Sequence, residues 1–337
     1  MTVTRLWQAG FETGTLEEGI GGVIVGVPLA STEDKYTGAY SMKVNGFGKY
    51  LIIDVPATNQ VRASMWMKNT YDFWSTTDNY IFSFYNNATF IAGFRGQSTN
   101  LHIDANGSLQ DTVGYYGTDW VHYSVNVKID ASSGWLNVYK DGNATPVLAY
   151  AGDTDISSLQ INKVRILHYN SPVLGGQGSS YMDDIYIDDT TGEASAYAPI
   201  LRFYHVVPSG AGNYAEFDPS TGTNYSCVDE IPPSDADYVS TATAGEYDSY
   251  AMNSITLGAG QEVAAVIPIA YVKRGADSEE IALGTRYSSA NLVGSDQSPG
   301  AALVMLSERQ TTKPGGGAWD QTSIDGFEAL IMSSGTY

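Results

Sequence analysis

From Val121 to Lys128 the chain alternates without a break, with Val121, Tyr123, Val125 and Val127 on one side and His122, Ser124, Asn126 and Lys128 on the other. A period of two belongs to an antiparallel strand with one buried face. Beyond it, Asp130-Ala-Ser-Ser-Gly134 has turn chemistry, Trp135–Tyr139 reads as the return strand, and Asp141-Gly142 closes a tight turn. Lys163–His168 is a further partner. Short runs of the same kind occupy Ser41–Val44, Tyr50–Val55, Val61–Met67, Tyr80–Tyr85 and Phe90–Phe94, punctuated by Gly, Asn, Asp and Pro. Many short strands without helical periodicity predict a sandwich or barrel. Tyr50-Leu-Ile-Ile-Asp-Val55 carries apolar residues on both parities, as inner strands of stacked sheets do, so the sandwich is favoured.

The 337 residues exceed the usual size of one domain. A polar, proline-terminated stretch at Asp188–Pro199 follows a last strand at Tyr181–Ile187, and a boundary is expected there. The chain is therefore read as all-β, with two jelly-roll-like β-sandwich domains over 1–195 and 196–337. In the second, Ile200–Val207, Tyr238–Thr243, Glu262–Lys273, Glu280–Tyr287 and Ala301–Ser307 read as strands. Pro268 marks an edge or a bulge. Trp319 and Phe327 are expected to dock the terminal segment on the second core.

With 37 acidic against 17 basic side chains the formal charge is -20, which opposes contact with a phosphate backbone. Nucleic acid is not an expected partner. No stretch approaches the 18 apolar residues of a spanning helix, and the first twelve residues lack the signal-peptide pattern. Neither membrane insertion nor secretion by that route is expected. A lone Cys227 excludes an intrachain disulfide.

Four scattered histidines and one cysteine give no zinc spacing. His102, His122, His168 and His205 lack a Gly-x-Ser-x-Gly partner and read as ordinary strand or loop residues. Trp66, Tyr71, Trp74, Tyr115, Tyr116 and Trp120 lie among polar residues, where flat rings stack on pyranose faces. Trp74, in Asp72-Phe-Trp-Ser-Thr-Thr-Asp78, is the preferred glycan-binding residue.

Trp7-Gln-Ala-Gly-Phe-Glu-Thr-Gly14, Thr37–Val44, the Trp120–Gly142 hairpin and Tyr181-Met-Asp-Asp-Ile-Tyr-Ile187 follow one another in an order that resembles concanavalin-like and laminin-G-like jelly rolls. The likeness covers roughly residues 1–195. The second half, through Val228-Asp-Glu, Ser234–Val239 and the Trp319 segment, resembles structural proteins of tailed bacteriophages. The resemblance implies a virion location, decorating the capsid or forming part of the tail or its fibres. It also implies other virion proteins as partners, self-association into a homo-oligomer, and host-surface glycans as ligands. The alternatives are a carbohydrate-binding module or a glycan-active hydrolase of a cell. Jelly-roll hydrolases need paired carboxylates, and neither Glu246-Tyr-Asp248 nor Asp183-Asp184 has the Glu-x-Asp-x-x-Glu spacing, so no catalysis is expected. In jelly rolls with this beginning and ending a structural calcium ties the first strand to the last. That implies Glu12 and Asp184 as ligands, with Asp34 or Asp183 as additions.

Overall fold

A computed structural model describes residues 4–16, 22–25, 28–45, 49–69, 79–97, 99–114, 118–169, 179–194, 196–197, 199–275 and 280–335. The chain divides into two compact units, Met1–Phe203 and Tyr204–Tyr337. Both are built from antiparallel β-sheet. Among the described residues no helix is long and apolar enough to cross a membrane.

The strands of the first unit are, in chain order, β1 (Thr4–Ala9), β2 (Gly22–Val25), β3 (Leu29–Ser31), β4 (Ser41–Val44), β5 (Tyr50–Thr58), β6 (Gln60–Asn69), β7 (Asn79–Asn86), β8 (Thr89–Gln97), β9 (Asn100–Ala105), β10 (Ser108–Gly114), β11 (Val121–Lys128), β12 (Gly134–Lys140), β13 (Leu148–Gly152), β14 (Ile161–Tyr169) and β15 (Ser180–Asp189). An eight-stranded sheet runs β13-β12-β11-β6-β15-β4-β3, with β1 also paired to β15, and a seven-stranded sheet runs β10-β9-β8-β7-β14-β5-β2. Successive strands cross from sheet to sheet at β5, β6 and β7 and again at β13, β14 and β15. That crossing makes the unit a sandwich with a jelly-roll-like winding.

The alternation at 121–128 coincides with β11. Its apolar side meets β6 in register, Val121 opposite Met67, Tyr123 opposite Met65, Val125 opposite Ala63 and Val127 opposite Val61. All eight are buried, together with Ile53, Phe82, Phe84, Phe94 and Ile103 of the other sheet. The Phe94 and Tyr123 rings lie 5.2 Å apart and bridge the two layers. Each such side chain contributes about 1.5–3 kcal/mol by leaving water.

In the second unit a five-stranded sheet takes its strands in the order Pro208–Ala215, Tyr247–Met252, Glu328–Ser333, Ile281–Tyr287 and Ala290–Gln297. The expected strand at Glu280–Tyr287 is present. The expectation at Ile200–Val207 is corrected, because no ladder forms there and the strand begins at Pro208. The Phe203 N–H instead donates to Asp184 Oδ1 at 2.8 Å, so the part of this stretch up to Phe203 serves as a strap within the first unit. The other long apolar runs shrink to Val239–Ser240, Ile269–Val272 and Val304–Ser307, the second beginning just past Pro268. Trp319 and Phe327 are buried with Ile324, their rings 5.8 Å apart and near perpendicular, and the Trp319 indole donates to the Gln310 carbonyl at 3.1 Å. Helix among the described residues is confined to one turn at Asn224–Cys227 and to Gln321–Gly326, capped by Asp320.

Phe94→Ala is expected to lower the stability of the first unit by about 3–5 kcal/mol, read as a shift of its denaturant midpoint.

Candidate functional site

The first strand, the last strand and two loops meet at three carboxylates. The parity of Met182 would send Asp184 into the core, and that of Ile185 and Ile187 would send Asp183 there, so no regular β15 keeps both acids out. A bulge resolves the conflict. The register with β6 shifts between Asp183 and Tyr186, and Asp184 takes the left-handed conformation at φ 49°. Both acids are thereby kept off the apolar layer and buried against loops.

Asp183 Oδ2 accepts the N–H groups of Tyr36 and Thr37 at 2.9 and 3.1 Å, and its Oδ1 accepts the Asp184 N–H at 2.8 Å. Asp184 accepts the Thr37 hydroxyl at 3.1 Å besides the Phe203 N–H. Glu12 accepts from Ala39 N–H at 2.6 Å. Gly38, at φ 58°, lies so close that a Cβ there would come within 2.0 Å of the Glu12 carboxylate. Burial holds the carboxyls of Asp183 and Asp184 above the usual range, and the Asp184 charge adds to the effect on Asp183. The hydrogen bonds pull the other way and are outweighed.

The structure thus brings Glu12 and Asp184 together, as the calcium expectation required, but the surroundings do not fit the ion. Calcium takes six to eight oxygens. Here main-chain N–H donors point at the carboxylates, and the described residues hold no group of three or more acids, histidines or cysteines that could hold a metal. Asp34, the other suggested ligand, instead pairs with Lys68 at 2.7 Å and accepts the Trp120 indole N–H at 3.0 Å.

On the outer face of the eight-stranded sheet, Trp66 is buried beneath Tyr36, the rings 3.6 Å apart and 16° from parallel. It offers no open sugar platform. Trp120 is partly buried, while Tyr71, Trp74, Tyr115 and Tyr116 lie outside the described residues. His122 Nε2 meets the Ser64 hydroxyl at 2.7 Å. This is a serine–histidine contact without its third member, because Asp141 accepts the His122 backbone N–H rather than a ring proton. Burial pushes the His122 imidazole down to about 4, and Ser64 is fully buried.

The outer face of the seven-stranded sheet differs. One cross-strand row holds His102, Arg95 and Tyr80, and the next holds Asp104, Gly93, Ser83 and Arg165. Arg95 grips Asp104 through two nitrogens, and the Tyr80 hydroxyl donates to the same carboxylate at 3.2 Å. The Tyr80 ring lies on Gly93, where a Cβ would come within 2.5 Å of it, and its neighbour Phe90 is 5.1 Å away. The Arg165 guanidinium rests 4.0 Å over the Tyr85 ring, with Tyr50 at 5.7 Å. Tyr50, Tyr80, Phe90 and Arg165 are each partly exposed. Sequence reading missed this face because bulges at Tyr80/Phe82 and Phe84/Tyr85 break the alternation that would have sorted in from out.

No family model matches the chain, and no curated protein sequence matches it. Solved structures similar to it include the catalytic domain of a glycoside hydrolase family 131 protein from Coprinopsis cinerea, at 14% identity and TM-score 0.39 over 58% of this chain and 98% of that one. A carbohydrate esterase from the Shiga toxin-encoding bacteriophage phi24B is 14% identical at TM-score 0.38, over 56% and 99%. The binding domain of botulinum neurotoxin DC, in complex with SialylT, is 13% identical at TM-score 0.41, over 98% and 85%. Such likeness transfers no activity. The expectation of a non-enzyme is withdrawn, since it rested on missing linear motifs; a glycoside hydrolase catalytic domain and a carbohydrate esterase stand among the similar structures.

Two outcomes are expected. Because the folded pKa of Asp183 and Asp184 is raised, both contribute stability while protonated, fully present below the ordinary carboxylate range near 3.8 and lost as pH rises through their folded values. His122, depressed in the fold, works oppositely and only below its ordinary 6.5. Above pH 6.5 the denaturant midpoint of the first unit should therefore fall, and Asp183→Asn should flatten that slope. Asp104→Ala should cost about 3–5 kcal/mol by leaving the buried Arg95 without its counter-charge, measured by the same denaturation.

Proposed function

We propose that the first unit binds glycans across the outer face of its seven-stranded sheet. The observation that supports this is the pairing of partly exposed rings, Tyr50, Tyr80 and Phe90, with hydrogen-bonding side chains held in fixed cross-strand positions. Flat rings stack on the apolar faces of pyranoses, and rigid polar groups beside them read the hydroxyls. The floor is stiff, since Arg95, Asp104 and Tyr80 are tied together and the opposite side of the sheet is solid core. Little ordering cost is then left to binding. A structural protein of a phage particle and a carbohydrate-binding module or glycan-active hydrolase of a cell would each use such a face. The virion setting, with other virion proteins and further copies of this chain as partners, belongs to the proposal and is tested by mass spectrometry of purified particles.

A glycan array followed by calorimetry on the full chain should find at least one oligosaccharide ligand, and Tyr80→Ala or Tyr50→Ala should weaken it about tenfold or more, the loss of one stacking ring. Chromatography of the incubated sugar reads any cleavage. Failure to retain any glycan would remove the proposal.

A further inference from the structure

Arg165 stands apart from the other arginines on the strands of this unit. Arg5 and Arg62 both pair with Asp188, and Arg95 pairs with Asp104. Arg165 has no carboxylate partner among the described residues, and its Nε is shut from water with no acceptor. Its guanidinium plane lies on Tyr85, which fixes the fork while leaving it uncompensated. Directly across the ladder is Ser83, fully buried, whose hydroxyl also lacks a partner. The neighbouring acid is already engaged: Asp54 pairs with Lys163 at 2.9 Å. An unpaired arginine is conspicuous in a chain of charge -20, which has carboxylates to spare.

Building on the glycan-binding reading, we infer that Arg165 is a subsite for the carboxylate of an acidic sugar, a uronate or sialate residue, on the seven-stranded sheet. A planar carboxylate matches the guanidinium fork in a bidentate pair, which a hydroxyl cannot do. Tyr50 beside it supplies a ring for the body of the sugar. The chain's net charge of -20 repels anions at long range, so the local cation selects where an acidic glycan settles and in which orientation.

The test is calorimetry of the full chain with sialyllactose and with a glucuronate-containing disaccharide, each against its neutral counterpart. An acidic ligand should bind about tenfold or more tightly than its neutral form, the scale of a charge-assisted pair. Arg165→Gln should abolish the preference, and Arg165→Lys should restore only part of it. Methyl esterification of the sugar carboxylate gives the same reading on the unaltered protein, should the variants not fold. Equal affinity for acidic and neutral sugars, or a preference that survives Arg165→Gln, would overturn the subsite and leave the glycan reading standing. No binding to either kind overturns both.

Discussion

Two consecutive acids in the middle of a sandwich strand set the terms for the first unit. A strand alternates, so one of Asp183 and Asp184 had to face the core, and an unpaired carboxylate there is far more costly than a distorted backbone. The chain accepts the distortion. Asp184 enters the left-handed region, the bulge turns it away, and the freed oxygens collect the main-chain N–H groups of Tyr36, Thr37 and Phe203. Loop 33–40 and the strap ending at Phe203 are placed by those bonds. Their placement in turn closes the outer face of the eight-stranded sheet: Tyr36 covers Trp66, the Tyr186 hydroxyl reaches the Pro199 carbonyl, and Asn126 reaches the Ala196 carbonyl.

The two outer faces therefore have different fates. The eight-stranded sheet carries Ser64, His122, Ser124, Asn126 and Asp188 outward, all of them buried beneath the chain's own segments. Asn126 holds that cover through the Ala196 carbonyl, while Ser64 meets His122 and Asp188 pairs with Arg5 and Arg62. On the seven-stranded sheet the Tyr80, Phe90 and Tyr50 rings keep partial exposure, and Arg165 keeps its charge uncompensated. A ligand face needs that asymmetry, because a ring covered by the chain's own segments has no face left to stack on a sugar.

Linear motifs served poorly in judging chemistry here. The absence of a Glu-x-Asp-x-x-Glu run says nothing of residues that meet across strands, and Asp104, Arg95 and Tyr80 meet only because the registers of β7, β8 and β9 align them. Glu12 lies in the turn after the first strand and Asp184 within the last, and the electrostatic influence of Glu12 reaches Asp184. The main-chain N–H groups that surround these acids leave no trace in a sequence.

The sequence by itself determined the all-β class, the strand at Val121–Lys128 with its inward and outward sides, and the buried terminal aromatics Trp319 and Phe327. All three follow from local periodicity or from the size of an apolar side chain, properties the chain carries before it folds. Tertiary structure alone decided that Ile200–Val207 is no strand, that Trp66 is covered, and that Arg165 is left without a carboxylate among the described residues. Each of these depends on which distant segment takes up a hydrogen bond, a ring face or a charge, and partners hundreds of atoms away along the chain are chosen by the fold.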